Sequence, residues 1–271
     1  MPGEIVRELL MLLEKRLPDV TDIRVSDARI GLGYTGIRLS TGHVGVCHTL
    51  SDDLICCQRI GRAGTISGSP VLEIAELANS WKLGEAVVGI AATNALSQII
   101  LERNIGSYMF IENADCIDQI QIKEDDTVAL VGYIRPFVPI IRSKTRKLYV
   151  MEKNPSAEGE DVLPETACSE IVPKADIVII TGTAIVNGTI DYLLELSRNA
   201  REIAVVGPTA SMIPDPLFKR RVTLIGGIKI INPERLLQVI SEGGGTPQFK
   251  ETCRQYIIRP TRINVRSMQH K

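Results

Sequence analysis

The sequence predicts an α/β protein in which a small α+β part precedes a mostly parallel sheet. From Thr127 onwards, apolar runs typical of buried strands alternate with helical stretches, which indicates βα units with right-handed crossovers. Residues 176–189 are the most informative, because a run of apolar and β-branched residues stops at Thr181-Gly182-Thr183 and a helix follows. Before residue 105 the predicted order is a helix, an antiparallel meander and two further helices.

We expect a first domain at residues 1–110, a second at 111–260 and a solvated basic tail at 261–271. The chain has 271 residues, which is long for one core and sufficient for two. The first domain is predicted to contain a helix at 4–16, strands at 23–32, 36–39 and 44–48, and helices at 69–80 and 84–103. The second is predicted to contain strands at 128–131, 148–151, 177–180, 203–206 and 222–225, with helices at 136–141, 190–198 and 233–242. Ser69 is the expected N-cap of the helix at 69–80.

Composition excludes several classes of partner. The net charge of −1 provides no global field that would attract nucleic acid or an anionic membrane, so we expect neither as a partner. No run reaches the ~20 apolar residues that cross a bilayer, and the acidic residues near the start do not fit a signal peptide. Six scattered cysteines suggest no disulfide framework, which favours the cytoplasm. A homodimer is compatible with the sequence, which does not show which apolar faces are exposed.

Three turns that contain glycine follow predicted buried strands. They are Gly132, Thr181-Gly182-Thr183 and Gly207-Pro208-Thr209, and Glu152 ends a fourth strand. The carboxyl ends of parallel strands share one edge of the sheet, where open α/β sheets usually bind ligands. Backbone amides in such turns could hold an anionic or carbonyl group, and Glu152 could accept from a hydroxyl or amine. The other interpretation is that tight turns simply need Gly and Pro.

Three established chemistries are poorly supported. The spacing G-x-G-x-x-G is absent at Gly132, so the signal for NAD is weak, and no cofactor is identified. The loop at 61–68 lacks the lysine of a nucleotide-binding P-loop. The Cys and His residues concentrate only at Cys47-His48 and Cys56-Cys57, and neither pair has the spacing of a zinc site. Buried apolar cysteines are the more common explanation of such residues.

Several motifs together resemble one prokaryotic family of unknown function, the putative heavy-metal chelation family. The matching runs are 89–95, 175–183, 187–189, 206–209 and 224–227, in the same order along nearly the whole chain. The resemblance implies an enolase N-terminal-like domain, followed by a Rossmann-like domain, with a site between them. Carried over by motif, ten positions are expected to line that cleft: Asn94, Gly132, Glu152, Thr181, Gly182, Thr183, Asn187, Gly207, Pro208 and Thr209. No catalytic role follows for any of them.

The leading hypothesis is a cytoplasmic protein that binds a small polar or anionic metabolite between its domains. The resemblance would make it an enzyme or a binder in the synthesis or handling of a heavy-metal chelator. In this hypothesis Asn94 reaches over the cleft from the first domain. The alternative is a non-catalytic protein that binds a metal or metal chelate through thiols such as Cys47, Cys56 or Cys57. A third reading is a scaffold whose sheet edge is only structural.

Overall fold

The computed structural model describes residues 3–53, 60–103, 108–153 and 162–261. The first unit contains one small sheet, which is antiparallel in the order β1-β2-β3. Its elements are, in order, α1 (Glu4–Arg16), β1 (Val25–Ile30), β2 (Tyr34–Leu39), β3 (Val44–His48), α2 (Val71–Ala75) and α3 (Leu83–Arg103). Gly42, with φ of +89°, makes the turn between β2 and β3, where Ser40-Thr41-Gly42 predicts a hairpin.

Helix α3 is the central helix of the first unit. Residues 86–101 are all buried, so this helix is covered on every side. It is long and apolar enough to cross a membrane, but 83% of an apolar stretch of 18 residues within it is buried inside the protein, as in the core helix of a soluble α/β protein. Its small residues allow close backbone approach: a Cβ on Gly45 of β3 would lie 2.1 Å from the backbone N of Ala95.

The second unit is built on a sheet of eight strands. The strands are β4 (Met109–Glu112), β5 (Thr127–Val131), β6 (Lys147–Glu152), β7 (Val162–Pro164), β8 (Ile177–Thr181), β9 (Glu202–Val206), β10 (Leu224–Ile230) and β11 (Cys253–Arg259). The helices are α4 (Phe137–Lys144), α5 (Cys168–Ile171), α6 (Thr183–Val186), α7 (Ile190–Leu196), α8 (Asp215–Phe218) and α9 (Pro233–Ser241). The spatial order of the strands is β4-β11-β10-β9-β8-β5-β6-β7.

The predicted α/β class and Rossmann-like sheet are confirmed. Strands β5 to β10 pair in parallel, and their order β7-β6-β5-β8-β9-β10 is the 3-2-1-4-5-6 order of dinucleotide-binding folds. The order reverses between β5 and β8, because β6 follows β5 on one side and β8 lies on the other. Strands β11 and β4 extend the sheet as antiparallel strands, which the sequence patterns do not predict.

The two units interlock through α9. This helix belongs to the second unit by sequence, yet it packs against β1 and β2 of the first. Gly36 of β2 makes the approach close, because a Cβ there would lie 2.8 Å from the Ile240 side chain and 2.9 Å from that of Leu237. One apolar cluster therefore combines Tyr34, Val44 and Val46 with residues of β10 and α9.

Other differences from the predictions have local causes. Strand β10 spans Leu224–Ile230, whereas the prediction is 222–225. It ends later than predicted because its second half pairs with β11 rather than β9. Helix α2 begins at Val71 with Pro70 as its N-cap residue, so the prediction of Ser69 as N-cap is wrong; the Ser69 hydroxyl donates to the carbonyl of Thr65 instead. The predicted boundary at residue 110 falls inside β4.

Candidate functional site

The amino edge of the large sheet is closed by charged side chains. Arg201 donates to both carboxylate oxygens of Asp126, at 3.1 and 2.8 Å, and this hydrogen bonding lowers the pKa of Asp126. Arg259 pairs with Glu202 at 2.8 Å and donates to the carbonyl of Gln119 at 2.7 Å. These contacts satisfy charged and hydrogen-bonding groups at the amino ends of β5 and β9 and at the last residue of β11.

The carboxyl edge brings the predicted turns into one row. Because β6, β5, β8 and β9 are neighbours, Glu152, Gly132, Gly182 and Gly207 follow one another along this edge. The backbone N–H of each glycine, however, is already used. Gly132 donates to Met151, Gly182 to Val206 and Gly207 to Gly226, at 2.8, 2.7 and 2.9 Å. The glycines thus continue the hydrogen-bond ladder, so any free amide in these turns belongs to another residue.

Gly132 and Thr181 face each other where the strand order reverses. Gly132 has φ of +91°, and a Cβ there would lie 2.4 Å from Cγ2 of Thr181. The Thr183 hydroxyl lies 3.1 Å from the Thr181 hydroxyl, so the two threonines form a small polar pair at the end of β8. Glycine is required at position 132 because φ is positive there and because the Thr181 side chain leaves no room for a Cβ.

Glu152 stabilises the turn after β5 by hydrogen bonding. Its two carboxylate oxygens accept from the backbone N–H groups of Tyr133 and Lys153, each at 2.7 Å. The Lys153 ammonium in turn contacts Asp53 of the first unit at 2.6 Å. The Glu152 carboxylate therefore holds the turn after β5 in place. The next residue, Lys153, makes a contact between the two units.

Asn94 joins the two units. Its side chain is fully buried, and its Nδ2 donates to the carbonyls of Val46 and Thr209 at 2.8 and 2.9 Å. The Thr209 hydroxyl accepts from the backbone N–H of His48 at 3.0 Å, and Thr209 is 2% exposed. Asn94 and Thr209 are thus packed into the seam between the units rather than placed over an open crevice.

Asn187 lies beyond these turns, after α6. Its side chain is exposed, and its Oδ1 accepts from the backbone N–H and the hydroxyl of Thr189 at 3.1 and 2.8 Å. This local turn leads into α7. Helix α6 itself, at Thr183–Val186, is an addition that the sequence patterns do not predict.

A cavity of about 730 Å³ lies beside Gly207 and Pro208 at the carboxyl edge. One wall exists because β10 continues past Gly226, its last residue paired with β9, as a two-stranded extension with β11. The other walls are the 3-10 helix Thr246–Glu251, the loop after β4, and Pro136 and Phe137 at the start of α4. All the lining residues belong to the second unit.

Of the ten predicted site residues, only Gly207 and Pro208 line this cavity. The ten do not include Cys116, the segment 246–251 or β11, which come from parts of the chain without a strong motif. The pair Gly226-Gly227 is a usable signal, but the structure explains it by packing. A Cβ on Gly226 would lie 3.2 Å from Cβ of Cys116, and one on Gly227 would lie 2.7 Å from the Tyr256 ring.

The thiols in the described part of the chain are poorly suited to bind a metal. Burial raises the pKa of the Cys47, Cys116 and Cys253 thiols, that of Cys253 to about 11, so they hold their protons at neutral pH. Cys47 is fully buried, while Cys56 and Cys57 lie outside the described residues. Among the described residues, no group of three or more His, Cys, Asp or Glu side chains could hold a metal ion.

Comparisons with known proteins agree with this architecture. A family model described as putative heavy-metal chelation matches residues 115–259, and a second model with the same description matches residues 13–97. An uncharacterised protein of Methanocaldococcus jannaschii is 28% identical over 260 residues, which covers 93% of this chain and 95% of that protein.

Two solved structures are similar over nearly their whole length. A protein of unknown function from Pyrococcus horikoshii has a TM-score of 0.80 at 27% identity, with 96% of this chain and 100% of that chain covered. Another, from Desulfitobacterium hafniense, has a TM-score of 0.77 at 23% identity, with 93% and 99% covered, and shows the same fold. Both belong to the DUF364 family, as does the first family model. The chain therefore belongs to the family described as putative heavy-metal chelation, and the resemblance seen in its motifs is confirmed.

Proposed function

We propose that this protein binds a small polar or anionic metabolite in the cavity at the carboxyl edge of its parallel sheet. The observation that carries the proposal is the position of the cavity. It lies beside Gly207 and Pro208, at the edge where open α/β sheets bind ligands. Its volume of about 730 Å³ is within the range of about 300–1,000 Å³ typical of small-molecule sites.

The contrast between the two sheet edges supports this choice. At the amino edge, ion pairs such as Arg201–Asp126 leave charged groups satisfied by one another. At the carboxyl edge, the extension of β10 and β11 creates a concave surface with both apolar and charged residues. Concave sites with a few polar groups are the usual form of ligand pockets.

The relation to heavy metals that the family description suggests would then be indirect. We propose that the bound molecule is an organic chelator, or a precursor of one, which the protein makes or handles. A bare metal ion would need several preorganised ligands, and the described residues offer no such group. Binding through thiols remains the competing proposal, and Cys47 supports it poorly because its side chain is fully buried.

A thermal-shift screen tests the proposal. Organic acids, amino acids, nucleotides, metal chelators and free metal ions are added separately, and a compound that binds the folded protein raises the melting temperature by mass action. We expect at least one organic compound to raise it, and the free metal ions to have no such effect. No shift with any compound would contradict the proposal.

A blocked cavity then locates the binding. Gln255 is exposed and lines the cavity, so Gln255→Trp adds bulk there without disturbing buried packing. The matched control is Gln121→Trp, an exposed position just before β5 at the amino edge. We expect the shift to be lost in the first variant and kept in the second. Binding that survives Gln255→Trp would place the site elsewhere.

A further inference from the structure

The mouth of the cavity carries charges of both signs on two sides. On the β11 side lie Arg254 and Asp115, and on the side of the 3-10 helix lie Lys250 and Glu251. Two cations and two anions make the mouth electrically neutral. A multiply charged anion such as a nucleotide diphosphate would therefore gain little net Coulomb attraction there.

These four charged side chains do not form ion pairs with one another. The guanidinium of Arg254 donates to Oδ1 of Asn113 at 3.3 Å, and Oδ1 of Asp115 accepts from the backbone N–H of Ile117 at 3.2 Å. Within the described part of the chain, the side chains of Lys250 and Glu251 form no ion pair or hydrogen bond. Each sign is thus available to a ligand at the cavity mouth.

The deep part of the cavity is apolar. Val206, Ile228 and Phe249 are 3%, 7% and 4% exposed, and the Cys116 thiol beside them is kept protonated by burial, which raises its pKa. An uncharged, largely apolar wall favours an apolar body on the ligand and would penalise a charged group placed there. A ligand that fits both regions of the cavity has an apolar end and a polar end.

We infer that the ligand is a zwitterion with an apolar body, such as an apolar α-amino acid or a derivative that keeps both charged groups. Its carboxylate would face Arg254 or Lys250, its ammonium would face Asp115 or Glu251, and its body would enter the cavity. This inference rests on the proposed function and narrows it to one chemical class. Charge-assisted contacts of both signs would select against molecules that carry only one of the groups.

Calorimetric titration at pH 7 with three related compounds tests the inference. L-Phenylalanine carries both charges, N-acetyl-L-phenylalanine only the carboxylate, and L-phenylalaninamide only the ammonium. L-Leucine is included as a second zwitterion with a smaller body. We expect each zwitterion to bind at least about tenfold more tightly than either single-charge compound. Equal or tighter binding of N-acetyl-L-phenylalanine would overturn the inference.

Variants separate the two charged contacts. Arg254→Gln with Lys250→Gln should weaken L-phenylalanine and the acetylated compound about fivefold and leave the amide unchanged. Asp115→Asn with Glu251→Gln should weaken L-phenylalanine and the amide, and leave the acetylated compound unchanged. Asn at 115 keeps an oxygen that can accept from Ile117. The control is Lys174→Gln with Glu170→Gln, an exposed pair that precedes the amino end of β8.

The failures of the two proposals are distinguishable. If no zwitterion binds, but another compound of the thermal-shift screen binds and is blocked by Gln255→Trp, the zwitterion inference is wrong and the proposed function stands. If no compound in either experiment binds, both are wrong. If L-phenylalanine binds but no charge variant changes its affinity, the recognition by the cavity mouth is wrong.

Discussion

The amide nitrogen of Asn94 lies 2.9 Å from the carbonyl oxygen of Thr209, and this hydrogen bond joins the central helix of one unit to the turn that ends β9 in the other. The same nitrogen donates to Val46, so one side chain holds three segments. The turn beside the cavity is therefore fixed from behind, by a residue that does not line it. The carbonyl of Ser211, two residues on, accepts from Gln98 of the same helix.

Replacing Asn94 should strongly destabilise the protein. Asn94→Ala leaves the carbonyls of Val46 and Thr209 buried without their donor, and we expect a loss of about 2–4 kcal/mol in the free energy of unfolding. Urea unfolding followed by circular dichroism measures it. Asn199→Ala is the control, because Asn199 is exposed and makes a single 3.5 Å hydrogen bond. Equal effects of the two changes would contradict the role of Asn94.

Gly132→Ala should cost more than a comparable change at another glycine with positive φ. Gly132 combines φ of +91° with the close Thr181 side chain, whereas Gly188 has φ of +79° and open space around it. We expect a loss of about 1 kcal/mol for Gly188→Ala and about 2–3 kcal/mol for Gly132→Ala. Denaturant titration compares them. A Gly132 variant no worse than the Gly188 variant would mean that the Thr181 contact is easily relieved.

Asp215 should make stability depend on acid pH. Burial alone would raise the pKa of Asp215, but hydrogen bonds from Arg16 and Tyr108 outweigh it and lower the pKa. A carboxyl group whose folded pKa is lowered stabilises the fold above its unfolded pKa of about 4, and this stabilisation is lost as the pH falls through the folded value.

Asp215→Asn should therefore be less stable than the wild type by about 1–2 kcal/mol at pH 7, with the difference shrinking towards pH 3. Urea unfolding at several pH values gives the comparison. Asp125→Asn, at an exposed position before β5, serves as the control and should show no such convergence. A difference that stays constant with pH would rule out the titration of Asp215 as its source.

The described thiols should react slowly in the folded protein. In a chain with Cys56→Ser and Cys57→Ser, the remaining cysteines are Cys47, Cys116, Cys168 and Cys253. Burial is the first cause of the raised pKa of each, to about 11 for Cys168 and for Cys253. We expect an aromatic disulfide reagent to label fewer than one thiol per chain rapidly at pH 7, and all of them in urea. Rapid labelling of two or more would favour the proposal of a thiol metal site.

Much of the fold follows from sequence because its strands are short and strongly apolar. The β8 run and its Thr181 turn stand at their predicted positions, and so do the helices at 4–16 and near 84–103. The extension of β10 with β11 is different: it depends on pairing between segments that come together only in the folded chain. The site was harder to predict for the same reason. The glycines of the predicted turns donate to neighbouring strands, and the cavity gathers residues from 113 to 256.

The position of α9 has a consequence for how the chain unfolds. The helix is encoded far along the chain, yet it covers β1 and β2, while α3 packs on the opposite face of β2 and β3. Splitting the polypeptide near residue 110 would leave an uncovered apolar face on each fragment, and neither should persist alone in water. The two segments that the family models match should therefore unfold in a single calorimetric transition. Each segment would then need the other in order to fold, so the two would have to be inherited together.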